Sequence, residues 1–234
     1  MFENPVFVAL DTPELDTARE LARRTGPHVG GLKIGMEFFY AQGRAGFEAV
    51  AAAGKPVFLD LKLHDIPNTV ASAIRALAPL KPAIVNVHAG GGREMMQAAA
   101  RAAKDSAAQM KLIGVSVLTS LDKGDLEELG VSGSVADHVR RLGALAQDCG
   151  LDGMVCSAHE IEILRAECGA DFMLIVPGIR PAGSASGDQK RIMTPAQALE
   201  RGADILVIGR PVTKAADPAR AALNIAREIE AARK

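Results

Sequence analysis

The 234-residue sequence predicts a (β/α)8 TIM barrel, a single α/β domain spanning residues 1–234. Three observations predict it. Eight short runs rich in Val, Ile, Leu and Phe alternate with longer Ala-rich amphipathic stretches. The runs are mostly continuously apolar, the pattern of parallel strands covered on both faces. Eight units in this length leave about 29 residues each, close to the usual size of one barrel unit. A doubly wound open sheet is the rival, and eight evenly spaced units with no Pro/Gly/Ser linker between halves argue against it.

The first strand is expected at Val6–Leu10, followed by a helix with Thr12 as its cap and Pro13 at its first position. That helix runs to about Arg24, where Gly26-Pro27 stops it. Gly31–Gly35 is the second strand, with helical sequence to about Ala53. Val57–Leu61 is the third, followed by a helix over Asn68–Leu77. Ala83–His88 is the fourth, with a helix over Glu94–Ala107. Leu112–Leu118 is the fifth, then a short segment at Asp125–Leu129 and a helix over Val135–Gln147. Gly153–Cys156 and Phe172–Val176 are the sixth and seventh, flanking a helix over His159–Glu167. The Gly/Ser-rich stretch Pro177–Met193 is too long for an ordinary connection and reads as an active-site loop. Pro195 opens a short helix to Gly202, Ile205–Ile208 is the eighth strand, and Pro218–Ala232 is the last helix.

Composition narrows the function. With Lys+Arg at 27 and Asp+Glu at 28, the net charge of -1 gives no electrostatic reason to bind nucleic acid or a membrane. One Tyr and no Trp leave too few aromatics for a base-stacking platform. The start, MFENPVFVALD, has no signal-peptide pattern, and the strongest apolar runs are far short of the roughly 20 residues that cross a bilayer. Cys149, Cys156 and Cys168 form no CxxC pair, which fits buried thiols in a reduced, cytoplasmic protein. No HExxH, His triad or P-loop is present, so no metal site is expected.

In this fold chemistry sits at the C-terminal ends of the strands. There the sequence puts Asp11, Lys33, Asp60-Leu61-Lys62 with Asp65 beyond, Asn86-Val87-His88, Ser116 and Thr119, Pro177-Gly178-Ile179-Arg180, and Gly209-Arg210. Residues i and i+2 of a strand share a side, so Asp60 and Lys62 project together, Lys33 stands on the neighbouring strand, and Asp65 completes a balanced quartet. Balance makes partial burial tolerable. The bland alternative is an ion-pair network that only closes the barrel mouth. Gly209-Arg210, with Arg180 and Gln189 from the long loop, reads as an anion site, because barrels often hold phosphate between the last two loops. An ordinary turn with a solvent-facing arginine is the alternative. His28, His138 and His159 read as helix or surface residues, His64 as a neighbour of the charges, and His88 as divided between packing and site support.

These residues carry a resemblance. Asp60-Leu61-Lys62-Leu63-His64-Asp65-Ile66-Pro67-Asn68-Thr69 resembles, without departure, the signature of the bacterial-type orotidine 5'-phosphate decarboxylase family. Phe7–Asp11, Leu32–Gly35, Leu118–Ser120, Val176–Arg180, Gly187–Gln189 and Val207–Pro211 follow in the same order. The resemblance implies Lys62 as the proton donor to C6, with Lys33, Asp60 and Asp65 completing the charged network. It implies that Asp11 and Lys33 hold the ribose hydroxyls, that Ser116 reads the pyrimidine amide edge with Thr119 nearby, and that Gln189, Gly209 and Arg210 hold the phosphate. Pro177 and Arg180 belong to the closing loop. It implies a homodimer in which Asp65 and Thr69 complete the partner's site, and no metal or organic cofactor. Such an enzyme performs the last step of UMP biosynthesis. A magnesium-dependent keto-sugar-phosphate decarboxylase shares the Asp-x-Lys-x-x-Asp core but not the Ile66–Thr69 continuation. A silent nucleotide-binding barrel would be expected to lose the charged quartet. A Schiff-base aldolase wants a neutral lysine, which two adjacent carboxylates oppose.

Overall fold

A computed structural model describes residues 2–106, 109–181 and 193–232. Eight parallel strands appear in the expected order: β1 (Val6–Ala9), β2 (Gly31–Gly35), β3 (Val57–Leu63), β4 (Ile84–His88), β5 (Lys111–Val115), β6 (Gly153–Val155), β7 (Met173–Pro177) and β8 (Ile205–Ile208). Each pairs with the next, and β1 pairs with β8 through Val6↔Leu206, Phe7↔Val207 and Val8↔Ile208. That last pair closes the sheet and excludes the open-sheet alternative.

The helices α1 (Leu15–Thr25), α2 (Met36–Ala51), α3 (Pro67–Leu77), α4 (Gly92–Asp105), α5 (Lys123–Glu128), α6 (Val135–Asp148), α7 (Ile161–Cys168), α8 (Pro195–Glu200), α9 (Arg210–Thr213) and α10 (Pro218–Ala232) fill the connections. Several show local chemistry at their starts, α5 and α6 among them. Asp122 caps α5 while Asp125 reaches back to its N–H, and Ser134 caps α6 through the Asp137 N–H. The expected start at Thr12-Pro13 is not found. Thr12 Oγ1 accepts the Glu14 N–H at 3.2 Å in a turn, and α1 begins only at Leu15. Gly43, at φ 58°, interrupts α2, a backbone angle that glycine adopts without steric cost. β3 runs two residues beyond its expected end, and β5 stops three residues before Leu118.

Strand alternation sorts side chains into two cores. Outward residues such as Val8, Leu32, Leu59 and Val85 pack under the helices. Inward residues Phe7, Phe58, Ile84, Ile113, Ile175, Ile205 and Val207 fill the barrel. Phe2 meets Phe7 edge-on, ring centroids 5.1 Å apart, beneath this layer. Gly31 is required there, because a Cβ would stand 2.3 Å from the Phe7 ring. The lower barrel is thus solid hydrocarbon, and continuing the same inward register upward reaches the polar residues. Among the described residues, no helix is long and apolar enough to cross a membrane. The three cysteines are free and buried.

Candidate active site

The inward positions of β1 to β3 change character as the strands rise. Phe7 and Ala9 lead to Asp11, Gly31 leads to Lys33, and Phe58 leads to Asp60. Parallel pairing sets Ala9 opposite Lys33 and Gly35 opposite Asp60. The charges therefore meet. Lys33 Nζ lies 3.3 Å from Asp11 Oδ1 and 3.3 Å from Asp60 Oδ2, and Lys62 Nζ donates to Asp60 Oδ1 at 2.7 Å. This is an alternating row, Asp11–Lys33–Asp60–Lys62. Its centre is dry: the side chains of Lys33 and Asp60 are 11% and 12% exposed, against 27% for Lys62. Gly35 leaves room for it, since a Cβ there would come within 3.1 Å of Lys33 Nζ.

Burial pushes the Asp60 carboxyl up, but the Lys33 and Lys62 ammonium groups and hydrogen bonds from Lys62 and Asn86 outweigh it. The carboxyl is held below its ordinary range and stays ionised. Lys62 reaches Asp60 by an irregular path. Its φ is 50°, and β3 bulges against β4, with Leu59 opposite Val85 but Leu63 opposite Val87. Asn86, fully buried on β4, accepts the Lys62 N–H at 2.8 Å and donates to Asp60 Oδ1 at 2.7 Å.

The row forms one wall of a cleft of about 420 Å³. Val115, Val117, Leu118, Val155 and Cys156 make an apolar wall, and Pro177, Gly178, Arg180, Gly209, Arg210 and Lys214 line the β7–β8 side. The arrangement offers an ammonium with spare donors, a flat apolar slot and a cationic end, which suits a planar, anionic ligand. A larger groove of about 600 Å³, beside Asp16, Arg23 and Lys55, lies between α1 and α2 in the outer helical layer. Its charges pair locally, Arg23 with Glu20 and Arg19 with Asp16, and no reactive groups converge there.

Of the expected site residues, the cleft brings together Asp11, Lys33, Asp60, Lys62, Thr119, Pro177, Arg180, Gly209 and Arg210. Ser116 is buried beside it, its hydroxyl donating to the Val155 carbonyl at 2.9 Å. Asp65 and Thr69 are exposed and stand outside the cleft, and Asp65 Oδ1 accepts the Ile66 N–H. Among the described residues Asp65 makes no ion pair, so one chain assembles three members of the expected quartet. Gln189 and most of the 177–193 loop lie outside the described residues. At its near end, Arg180 is buried and its N–H donates to the Met193 carbonyl. His88 is half-buried, its ring centroid 5.3 Å from that of His64, and burial together with the charges of His64 and Lys62 lowers its pKa.

Sequence reasoning gave no role to Lys214, Gly35 or Asn86. Lys214 sits on a helix turn after β8 with no motif to mark it. Asn86 did carry a signal, an amide at an inward position of the otherwise apolar run Ile84-Val85-Asn86-Val87.

Comparison with known proteins bears on the whole chain. Residues 4–225 match the family described as Orotidine 5'-phosphate decarboxylase / HUMPS. The chain is 56% identical to an orotidine 5'-phosphate decarboxylase of Rhodospirillum rubrum, over 98% of this chain and 95% of that one. It is 55% identical to the enzyme of the same description from Erythrobacter litoralis, over 97% and 98%. The crystal structure of orotidine 5'-phosphate decarboxylase from Lactobacillus acidophilus superposes with a TM-score of 0.85 at 37% identity, covering 97% of this chain and 99% of that one.

Proposed function

The chain belongs to the orotidine 5'-phosphate decarboxylase / HUMPS family as a carboxy-lyase of the bacterial orotidine 5'-phosphate decarboxylase type, and we propose that Lys62, held by Asp60 and Lys33, drives the conversion of orotidine 5'-phosphate to uridine 5'-phosphate and CO2 by electrostatics. The observation that carries this reading is the alternating row Lys33–Asp60–Lys62 at the mouth of a barrel that is otherwise hydrocarbon.

The chemistry explains why such a row is needed. Breaking the C6–carboxylate bond releases CO2 and leaves the electron pair in an in-plane orbital at C6, orthogonal to the ring π system. Delocalisation does not relieve it, so a fixed cation must. The Lys62 ammonium faces that charge in a site shielded from bulk water, then donates its proton to C6 and regains one from solvent. Asp60 keeps the ammonium aimed, and Lys33 keeps Asp60 ionised. Asp11 and Lys33 take the ribose hydroxyls, and Ser116 and Thr119 stand at the pyrimidine end. The phosphate belongs to Arg210, Gly209 and Gln189, with Arg180 and Pro177 at the base of the closing loop. A Cβ at Gly209 would make only ordinary contacts with Asp11 and Ala9, 3.5 and 3.6 Å away. Packing within the chain therefore does not demand glycine, although its φ -102°, ψ -106° backbone favours it, and the missing side chain leaves room for the phosphate to approach the backbone. Binding energy from that remote group closes the loop and completes the site.

Asp65 and Thr69 lie on the exposed rim beside Ile66, a large apolar side chain that is 68% exposed. This supports a two-fold homodimer in which both residues enter the partner's site. The enzyme is read as cytoplasmic and as needing no cofactor. Orotidine 5'-phosphate incubated with the protein and a metal chelator should lose its ultraviolet signature and yield uridine 5'-phosphate. Activity that vanishes with the chelator and returns with magnesium would overturn the reading in favour of a metal-dependent sugar-phosphate decarboxylase.

A further inference from the structure

The least regular backbone in the site carries its most important side chain. Lys62 sits at φ 50° within a bulge, a conformation that costs a non-glycine residue about 1–2 kcal/mol. Something must hold it there. On the β4 side the bulge faces Asn86, whose side chain is fully buried and bridges backbone to carboxylate: Lys62 N–H to Oδ1 at 2.8 Å, and Nδ2–H to Asp60 Oδ1 at 2.7 Å. The orientation of this amide is determined by its partners. A backbone N–H only donates and an ionised carboxylate only accepts, so a flipped amide would lose both bonds. Asp60 Oδ1 is also the atom that accepts from Lys62 Nζ. One carboxamide thus fixes where the main chain of Lys62 leaves the strand and where its ammonium is anchored.

We infer that Asn86 is a positioning residue for the decarboxylation, setting the Lys62 ammonium by clamping both the bulged backbone of Lys62 and the carboxylate that aims it. The inference rests on the proposed function above and adds a residue to it. Asn86 does not line the cleft, so it acts through Lys62 and Asp60 rather than on substrate. The clamp has a consequence for charge as well as for geometry, because the Nδ2–H bond is one of the contacts that hold Asp60 ionised. The other groups around Asp60 are Lys33 from β2, Lys62 from β3, and His88 from β4 with His64 behind it, while Asp11 bears on it through Lys33.

Two variants separate positioning from a structural role. Asn86→Asp is nearly isosteric and keeps an acceptor for the Lys62 N–H, but it sets a carboxylate oxygen against Asp60 Oδ1. The two carboxylates then compete for a proton. Asn86→Ala removes both bonds. Each is assayed with orotidine 5'-phosphate across pH, uridine 5'-phosphate affinity is measured by calorimetry, and folding by thermal melting. For Asn86→Asp, kcat should fall by about 30-fold or more with KM within about threefold, and the acid limb of kcat/KM should move to higher pH. His88 is common to both proteins, so the shift between them is the readout. For Asn86→Ala, kcat should fall by about tenfold or more, with product affinity nearly unchanged. The inference is overturned if kcat stays within about threefold of wild type in Asn86→Asp, or if kcat, product affinity and melting temperature fall together with an unmoved acid limb. Should Asn86→Ala not fold, Asn86→Asp decides alone. Wild-type protein that leaves orotidine 5'-phosphate unchanged removes the functional reading and this inference with it. Active wild type with unaffected Asn86 variants removes only the inference.

Discussion

Two ion-pair networks sit at opposite ends of the barrel, and they are built to opposite ends. At the N-terminal face, Arg165 of α7 pairs with Asp204 at 2.7 Å, just before β8. Its guanidinium also donates to the carbonyls of Gly169, Ala170, Phe172 and Gly202, and Asp204 accepts the Leu174 N–H at 2.7 Å. Six hydrogen bonds within its own chain tie that network down. At the C-terminal face, among the described residues, Lys62 Nζ has Asp60 as its sole acceptor and keeps donors to spare. The lesson concerns how completely a charge is satisfied rather than how deeply it is buried. Arg165 and Asp204, 20% and 16% exposed, are less deeply buried than Lys33 and Asp60 yet far more completely bonded. A pair with many bonds in its own chain locks strand ends together, and one with donors to spare is held ready for a ligand.

The contrast is broken most sharply by exchanging lesions. Lys62→Ala should lower kcat by about 10³-fold or more while the thermal melt stays near wild type, because its side chain is only partly buried and alanine leaves the backbone at this position no more strained than lysine does. A kcat within tenfold of wild type would remove Lys62 from its role. Arg165→Ala should do the reverse. Breaking a largely buried pair with this many bonds costs up to about 3 kcal/mol of stability, the low end for a buried pair because both side chains keep some exposure, read by urea titration, whereas kcat/KM per folded molecule should barely change. Equal losses of activity and stability in both variants would erase the distinction between the two ends.

The second difference is self-sufficiency. The lower network needs no other chain, whereas Asp65 stands apart from the upper one. Lys62→Ala and Asp65→Ala proteins, each nearly inactive alone, should recover about one quarter of wild-type activity per site when mixed and allowed to exchange subunits at random. No recovery, with exchange confirmed by a mass-tagged subunit, would place Asp65 in its own chain's site.

A smaller effect is expected at the cationic end of the cleft. Arg210→Ala should weaken kcat/KM for orotidine 5'-phosphate by about 2 kcal/mol, the low end for a charge-assisted contact because Arg210 is exposed. Orotidine, which lacks the phosphate, should be nearly indifferent. Equal losses would assign Arg210 to the fold.

The smallest concerns acid. Asp60 has a folded pKa below its unfolded value of 3.8. Its stabilisation is therefore full above that value and disappears as pH falls through the lower folded one. The stability difference between wild type and Asp60→Asn should narrow only below about pH 4. A gap that narrows already near neutrality would mean that the carboxyl is not held ionised.

Much of this architecture was legible beforehand because it rests on local rules. Continuous apolar runs located all eight strands, and the two-residue alternation brought Lys33 to Asp60. The same alternation predicted that Lys62 would face Asp60, which is so, but through a bulge at positive φ that no periodicity reveals. The clamp at Asn86 was illegible for a related reason. Its partners are 24 and 26 residues away, and only the β3–β4 register brings them together. Pro13 misled because proline favours a helix start without dictating it, and the Thr12–Glu14 turn took the place of a cap. Thr69 was named from the signature alone, and Asp65, expected beside the other charges from its place just past the third strand, is not gathered to the cleft within one chain.

The pairing of Val6–Val8 with Leu206–Ile208 also carries a timetable. The strand made first finds its second neighbour only when the strand made last has been synthesised. At about 5–20 residues per second, the intervening 200 or so residues take roughly 10–40 s. Throughout that interval the growing sheet has two unpaired edges, one of them β1, and such edges recruit other chains. A chain released before Ile205 keeps both edges permanently and should scatter light on refolding where the complete chain stays clear. Cells that make this barrel in quantity therefore face their greatest aggregation risk during synthesis, before the closing strand arrives.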